Sequence, residues 1–213
     1  MIHPSRRSGS SPVWGRRPFA AAGPSAGAEE GASGHTVLEL LTVMAILFIV
    51  VAAATPRVTA YVHESRVRGA ALYLRSLFRQ TRARAAAEAR YVGVVFDGSD
   101  DPAFTIHADG NYNGIRRLDV EQGVDPRLRE PYRLTETFPG VHWGTLPAGA
   151  SEPFFPGLRI GRSQIVSFSP LGQSTSGTLY LSSEYGYLYA VVILGSTGRV
   201  RVSRYHGGKW ETI

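Results

Sequence analysis

The order of apolar and polar positions divides the chain into stretches of different period. Residues 1–34 show no apolar periodicity, and small and polar residues predominate. Arg6, Arg7, Arg16 and Arg17 stand there against Glu29 and Glu30. Such a leader cannot bury enough apolar surface to offset the entropy of ordering it. From Val37 to Ala54, by contrast, only Glu39 and Thr42 interrupt an apolar run of eighteen residues. With His35, Thr36 and Thr55 the run reaches twenty-one residues. At about 1.5 Å per residue that matches a hydrocarbon core of roughly 30 Å. The run is apolar all round, without the polar stripe of a helix on a soluble core, so it predicts a membrane-spanning helix over residues 35–56.

Helical character continues over residues 57–90, with a single glycine, Gly69. Val67, Ala70, Ala71, Leu74, Leu77, Phe78, Thr81 and Ala85 recur at three- and four-residue spacing and predict a buried stripe. Arg75, Arg79 and Arg82 fall at i, i+4 and i+7 on a second face. This stalk holds eight arginines against Glu64 and Glu88, a local balance of +6. A solvated face over a sheet explains such a row, and a basic strip toward neighbouring subunits or polyanions is the other reading. Taken from Thr36 to Arg90, the helix is expected to be 55 residues and on the order of 80 Å long.

Beyond Tyr91 the period becomes that of strands, with runs rich in Val, Tyr, Ile and Phe bounded by Gly, Pro and Ser. Strands are expected over residues 91–97, 103–109, 164–169, 177–183, 187–194 and 198–205. Gly98-Ser99-Asp100-Asp101-Pro102 reads as the turn between the first two, and Gly195-Ser196-Thr197-Gly198 makes the last two a hairpin. The pattern therefore predicts an α+β chain: a leader (1–34), a spanning helix (35–56), an amphipathic stalk helix (57–90) and a C-terminal antiparallel β domain (91–213). Residues 110–160 give no clear pattern.

Composition changes this picture in two ways. Mean hydropathy is −0.08, an average that conceals the apolar run, and the formal net charge is +6. Cysteine is absent, which excludes a disulfide framework, a thiolate zinc site, an iron–sulfur cluster and a cysteine nucleophile. The six histidines are scattered without HExxH spacing, and neither a P-loop nor GxSxG occurs. No cofactor and no catalytic site is expected. Asp109-Gly110-Asn111-Tyr112-Asn113-Gly114 begins like an EF-hand loop, but the closing position falls on Val120, so an Asx-rich turn is expected. The pair Arg16-Arg17 leads into Ala20–Ala28, which holds Gly23, Pro24, Ser25 and Gly27 and is too weakly apolar for a twin-arginine export signal.

Glu39 is the odd residue of the apolar run. A carboxylate in a spanning helix is costly and so a candidate functional group, unless it snorkels to the interface. Its surroundings, Gly34-His35-Thr36-Val37-Leu38-Glu39-Leu40-Leu41 after a basic leader and before the apolar run, resemble the prepilin signal of type IV pilins and type II secretion pseudopilins. The resemblance implies cleavage between Gly34 and His35 by a prepilin peptidase, N-methylation of His35, and a filament-assembly role for Glu39. It also makes Pro56 the helix-kinking proline. The family usually places phenylalanine where this chain has His35. Cleavage sets a new cationic amine beside a buried carboxylate, a pair best satisfied between neighbouring subunits.

Within the β domain, Ser167-Phe168-Ser169-Pro170-Leu171-Gly172, then Gly177-Thr178-Leu179-Tyr180-Leu181, then Gly198-Arg199-Val200-Arg201-Val202 resemble the GspH/FimT pseudopilin domain. A type IV pilin-like fold is implied, along with single-pass anchoring in the bacterial inner membrane and a periplasmic β domain. The implied function is that of a minor pseudopilin of the type II secretion system, a structural subunit of the pseudopilus. Its partners would be the prepilin peptidase, inner-membrane lipid, other major and minor pseudopilins, and secreted cargo. The alternative is a FimT-like minor pilin that binds DNA for natural transformation through Arg199 and Arg201. On a strand those arginines share one face, about 7 Å apart, comparable to successive phosphates, with Val200 and Val202 on the other. Arg204, His206 and Lys209 add to the basic tail. The competing explanation for Arg199 and Arg201 is protection of a sheet edge.

Overall fold

The structure, a computed structural model, describes residues 36–144 and 155–213. It divides into two units, with the boundary between Ala45 and Ile46. A long helix, α1 (Val37–Ala87), opens the described chain. Among the described residues, five-residue α2 (Arg117–Glu121) and four-residue α3 (Leu134–Thr137) follow with ten strands. These are β1 (Val92–Phe96), β2 (Ala103–Ala108), β3 (Arg127–Arg133), β4 (Val141–Trp143), β5 (Leu158–Ile160), β6 (Ile165–Phe168), β7 (Gly177–Ser183), β8 (Leu188–Leu194), β9 (Arg199–His206) and β10 (Lys209–Thr212). The architecture is thus α+β, a long N-terminal helix packed on an antiparallel β domain.

Two sheets share the strands. One has the order β3-β2-β1-β6; the other runs β10-β9-β8-β7-β4, with β5 also pairing with β7. All pairings are antiparallel. The expected strands all form, within a residue or two at their ends. Gly195–Gly198 turns β8 into β9, in a register that sets Leu194 against Arg199.

The α1 stripe is the spine of the core. Val67, Ala70, Ala71, Leu74, Leu77, Phe78 and Ala85 are all buried, in one cluster with Val94, Phe168, Leu181, Val191 and Val202 from both sheets. Thr81, also buried on the stripe, satisfies its hydroxyl by donating to the Leu77 carbonyl at 2.9 Å. Strand β1 is buried on both faces, so it reads as a continuous apolar run rather than an alternation. Val92, Val94 and Phe96 enter the main core. Val95 packs behind the sheet with Ile115, Ile165 and Val120.

Helix α1 ends where Ala89 turns left-handed at φ 50°, with the Arg90 N–H reaching back to the Ala85 carbonyl at 3.3 Å. Glu88 is gripped there by Arg84 and Arg90, whose hydrogen bonds hold its carboxyl below the usual glutamate range. A lowered carboxyl pKa contributes stability that is fully present above the unfolded value, about pH 4.3, and lost as pH falls through the lower folded value. Glu88→Gln is therefore expected to lower stability slightly at pH 7 and to flatten its acid-side decline. Denaturant titrations at pH 7 and pH 3 check this; equal pH slopes for parent and variant would refute it.

The expected Asx-rich turn forms. Asp109 Oδ1 accepts the Asn111 N–H at 3.1 Å, and Asn111 Oδ1 accepts the Asn113 N–H at 3.2 Å. Among the described residues no cluster of His, Asp or Glu is arranged to hold a metal ion.

Candidate functional site

Gly34 and His35 lie outside the described residues. Helix α1 begins two positions after His35, with Thr36 at its cap: Thr36 Oγ1 accepts the Glu39 N–H at 3.2 Å. Thr36-Val37-Leu38-Glu39 has the spacing of a capping box, a signal readable in the sequence. Glu39 itself sits in the first helical turn, where negative charge suits the helix dipole, and is exposed. The apolar side chains from Val37 to Val51 are exposed as well, Phe48 at 79%. Among the described residues α1 is the one helix long and apolar enough to cross a membrane, and its most apolar window buries nothing inside the protein. Pro56 lies within α1, which runs on to Ala87; the change from spanning segment to stalk expected there is no break in secondary structure.

The second feature lies in the β domain. Arg199 and Arg201 are exposed and alternate with buried Val200 and Val202, the two-faced strand that was expected. Strand β10 pairs with β9 from Ser203 to His206, and the Ile213 N–H reaches the Val202 carbonyl. Among the described residues, no strand pairs with Arg199–Arg201 on the side away from β8. The arginines thus occupy an open corner of the sheet, and edge protection remains one role for them.

That corner faces α1. Arg75, Arg79 and Arg82 line one cleft together with Gly198, Arg199 and Arg201, with a volume of about 380 Å³. The helical row and the strand pair, separated by more than a hundred residues in sequence, are one basic surface. Among the described residues no carboxylate lines it. Among the described residues none of the five guanidiniums joins an ion pair or a hydrogen bond. Arg75 Nε is buried without a partner.

Several arginines elsewhere are occupied. Arg204 pairs with Glu64 at 3.0 Å, and Arg84 and Arg90 share Glu88. Arg117 donates to the Phe96 and Ser163 carbonyls at 2.9 and 2.8 Å. The Arg204–Glu64 pair ties β9 to α1, and the Tyr189 hydroxyl, pushed up by burial and by the Glu64 charge, reaches the same carboxylate at 3.4 Å. His206 and Lys209 are exposed but do not line the cleft.

The fold and these two features define a class: a chain with an exposed apolar helical segment, whose helix continues into the core of a β domain that carries an unpaired arginine cleft. No family model, no curated protein and no solved structure matches the chain.

Proposed function

We propose that this protein is a structural, non-enzymatic subunit of a pilin-like filament, a minor pseudopilin of the type II secretion system. The single observation that carries the reading is the division of labour along α1: side chains exposed over Val37–Val51, then the stripe Val67–Ala85 locked into the β core. Lipid would cover the first part before assembly, and neighbouring helices in the filament afterwards. The peptidase would cut after Gly34, the His35 amine would be methylated, and Glu39 would pair with that amine on an adjacent subunit. The inner membrane would hold the helix in a single pass, with the β domain in the periplasm facing other minor subunits and cargo.

Co-expression with a prepilin peptidase tests the reading. Protein sequencing is expected to begin at His35, and Glu39→Ala is expected to leave the chain in the membrane while removing it from sheared filaments. An uncut chain, or a Glu39→Ala chain that still enters filaments, contradicts it.

The arginine cleft favours a second reading, a FimT-like minor pilin that binds DNA during uptake. Five arginines that line one open volume, without an ion pair among the described residues, suit a polyanion better than a protein cargo of unspecified charge. The full chain in uncharged detergent is then expected to bind duplex DNA at low salt. Arg199→Gln with Arg201→Gln would weaken that binding, and an absence of binding by the parent protein sinks the reading.

A further inference from the structure

We infer that the DNA site is composite: Arg75, Arg79 and Arg82 of α1 form one wall of a groove for a phosphodiester backbone, and Arg199 and Arg201 form the other. The inference rests on the DNA-binding reading and adds the helical wall and the device that positions it. Three observations carry it.

The first is charge left without an internal partner. Like charges held together repel, and several arginines elsewhere meet carboxylates or carbonyls, as with Arg204, Arg84 and Arg117. Among the described residues the five in the cleft have neither, and Arg75 Nε has lost water as well. A buried donor without a partner is expensive, and a ligand oxygen would relieve it.

The second is size and chemistry. At about 380 Å³ the cleft has room for on the order of ten waters, far more than one inorganic phosphate needs. Along α1 the three arginines span about 10 Å, and the strand pair about 7 Å, so the two rows run beside several consecutive phosphates. Among the described residues no aromatic side chain lines the cleft to stack on bases. Recognition then runs through guanidinium contacts to phosphates rather than through stacking, and is strongly salt-dependent.

The third is a cradle around Arg82. A Cβ on Gly198 (φ 59°) would stand 2.4 Å from the Gly172 carbonyl oxygen and 3.1 Å from Arg82 Nε. A Cβ on Gly172 (φ 86°) would stand 3.0 Å from Arg82 Nη2. Two loops, one between β6 and β7 and one between β8 and β9, therefore close on this guanidinium only because both positions lack a side chain. Gly172 and Gly198 are positioning residues, and Arg82 is the link between the helical and strand walls.

The test measures duplex binding by the full chain in uncharged detergent across a salt series. Arms with inorganic phosphate alone and with phosphatidylglycerol vesicles run alongside. Arg75→Gln, Arg79→Gln and Arg82→Gln together are expected to weaken binding at least tenfold at low salt. They should also lower the magnitude of the log–log salt slope by about two to three, near 0.9 for each phosphate no longer neutralised. Arg162→Gln, an exposed arginine outside the cleft, is expected to bind as the parent does. Thermal melts of each variant separate lost binding from lost fold; Arg79→Gln, exposed on the helix, gives a fold-neutral single substitution and is expected to lower the slope by about one.

If the strand double variant loses DNA while the helical triple variant binds like the parent, the composite site is wrong and the DNA reading stands. If the parent itself does not bind, both fall. A triple variant that loses vesicles but keeps DNA would make the helical row a lipid-binding surface and also overturn the inference, as would competition by millimolar phosphate alone.

Discussion

Phe78→Ala is expected to destabilise the protein by about 3–5 kcal/mol, a large share of the roughly 5–15 kcal/mol that holds a domain folded. Phe78 is fully buried on the α1 stripe, and its ring centroid lies 6.2 Å from that of Phe168 on β6. Truncation removes the transfer free energy of the ring and leaves a cavity between helix and sheet, which the rigid strands cannot close. The melting temperature of the full chain in detergent should fall by on the order of 10 °C. Tyr61→Ala, at a side chain 71% exposed on the same helix, should change it little. A loss below about 1 kcal/mol for Phe78→Ala would mean that α1 does not pack as described.

The second large effect concerns the exposed end of the helix. Leu47→Arg is expected to cost about 2.5–3.5 kcal/mol of membrane insertion, the usual penalty for arginine near the centre of a spanning helix. Leu47 is 52% exposed and belongs to the stretch that buries nothing in the protein, so the substitution leaves the core packing intact. The readout is the fraction of full chain that resists alkaline extraction from membranes. It should drop sharply while the unfolding of the β domain stays at the parent value. Retention equal to the parent would contradict the membrane reading of residues 35–56, and a fall in domain stability would show that Leu47 packs against protein.

Much of the fold could be read from local pattern. The eight positions assigned to the stalk stripe are all buried, because a 3.6-residue period places them on one side of any helix they form. Strands β1, β2, β6, β7, β8 and β9 are marked by β-branched and aromatic runs between turn residues. The strands that were missed lack those marks for physical reasons. Strand β3, Arg-Leu-Arg-Glu-Pro-Tyr-Arg, is a sheet edge, where charge and proline are tolerated and burial does not select apolar residues. Strands β4 and β5 are three residues each, too short for a period to show. Strand β10 is exposed throughout, but Gly207-Gly208, with φ 56° and 80°, was a legible two-residue hairpin signal.

The candidate site divides along the same line. Glu39 in an apolar run, the glycine before it and the arginine pair on a strand are features of short sequence windows, and the sequence alone determined them. It also determined that Arg75, Arg79 and Arg82 share a helix face, because helical geometry leaves no other choice. Only the tertiary structure decided that this face and Arg199 with Arg201 meet in one cleft. That meeting depends on the register of the β8–β9 hairpin and on the stripe that seats α1 against it. It depends also on two glycines that admit Arg82 between loops. Periodicity specifies the face of an element, whereas the distance between faces is set by packing across the core.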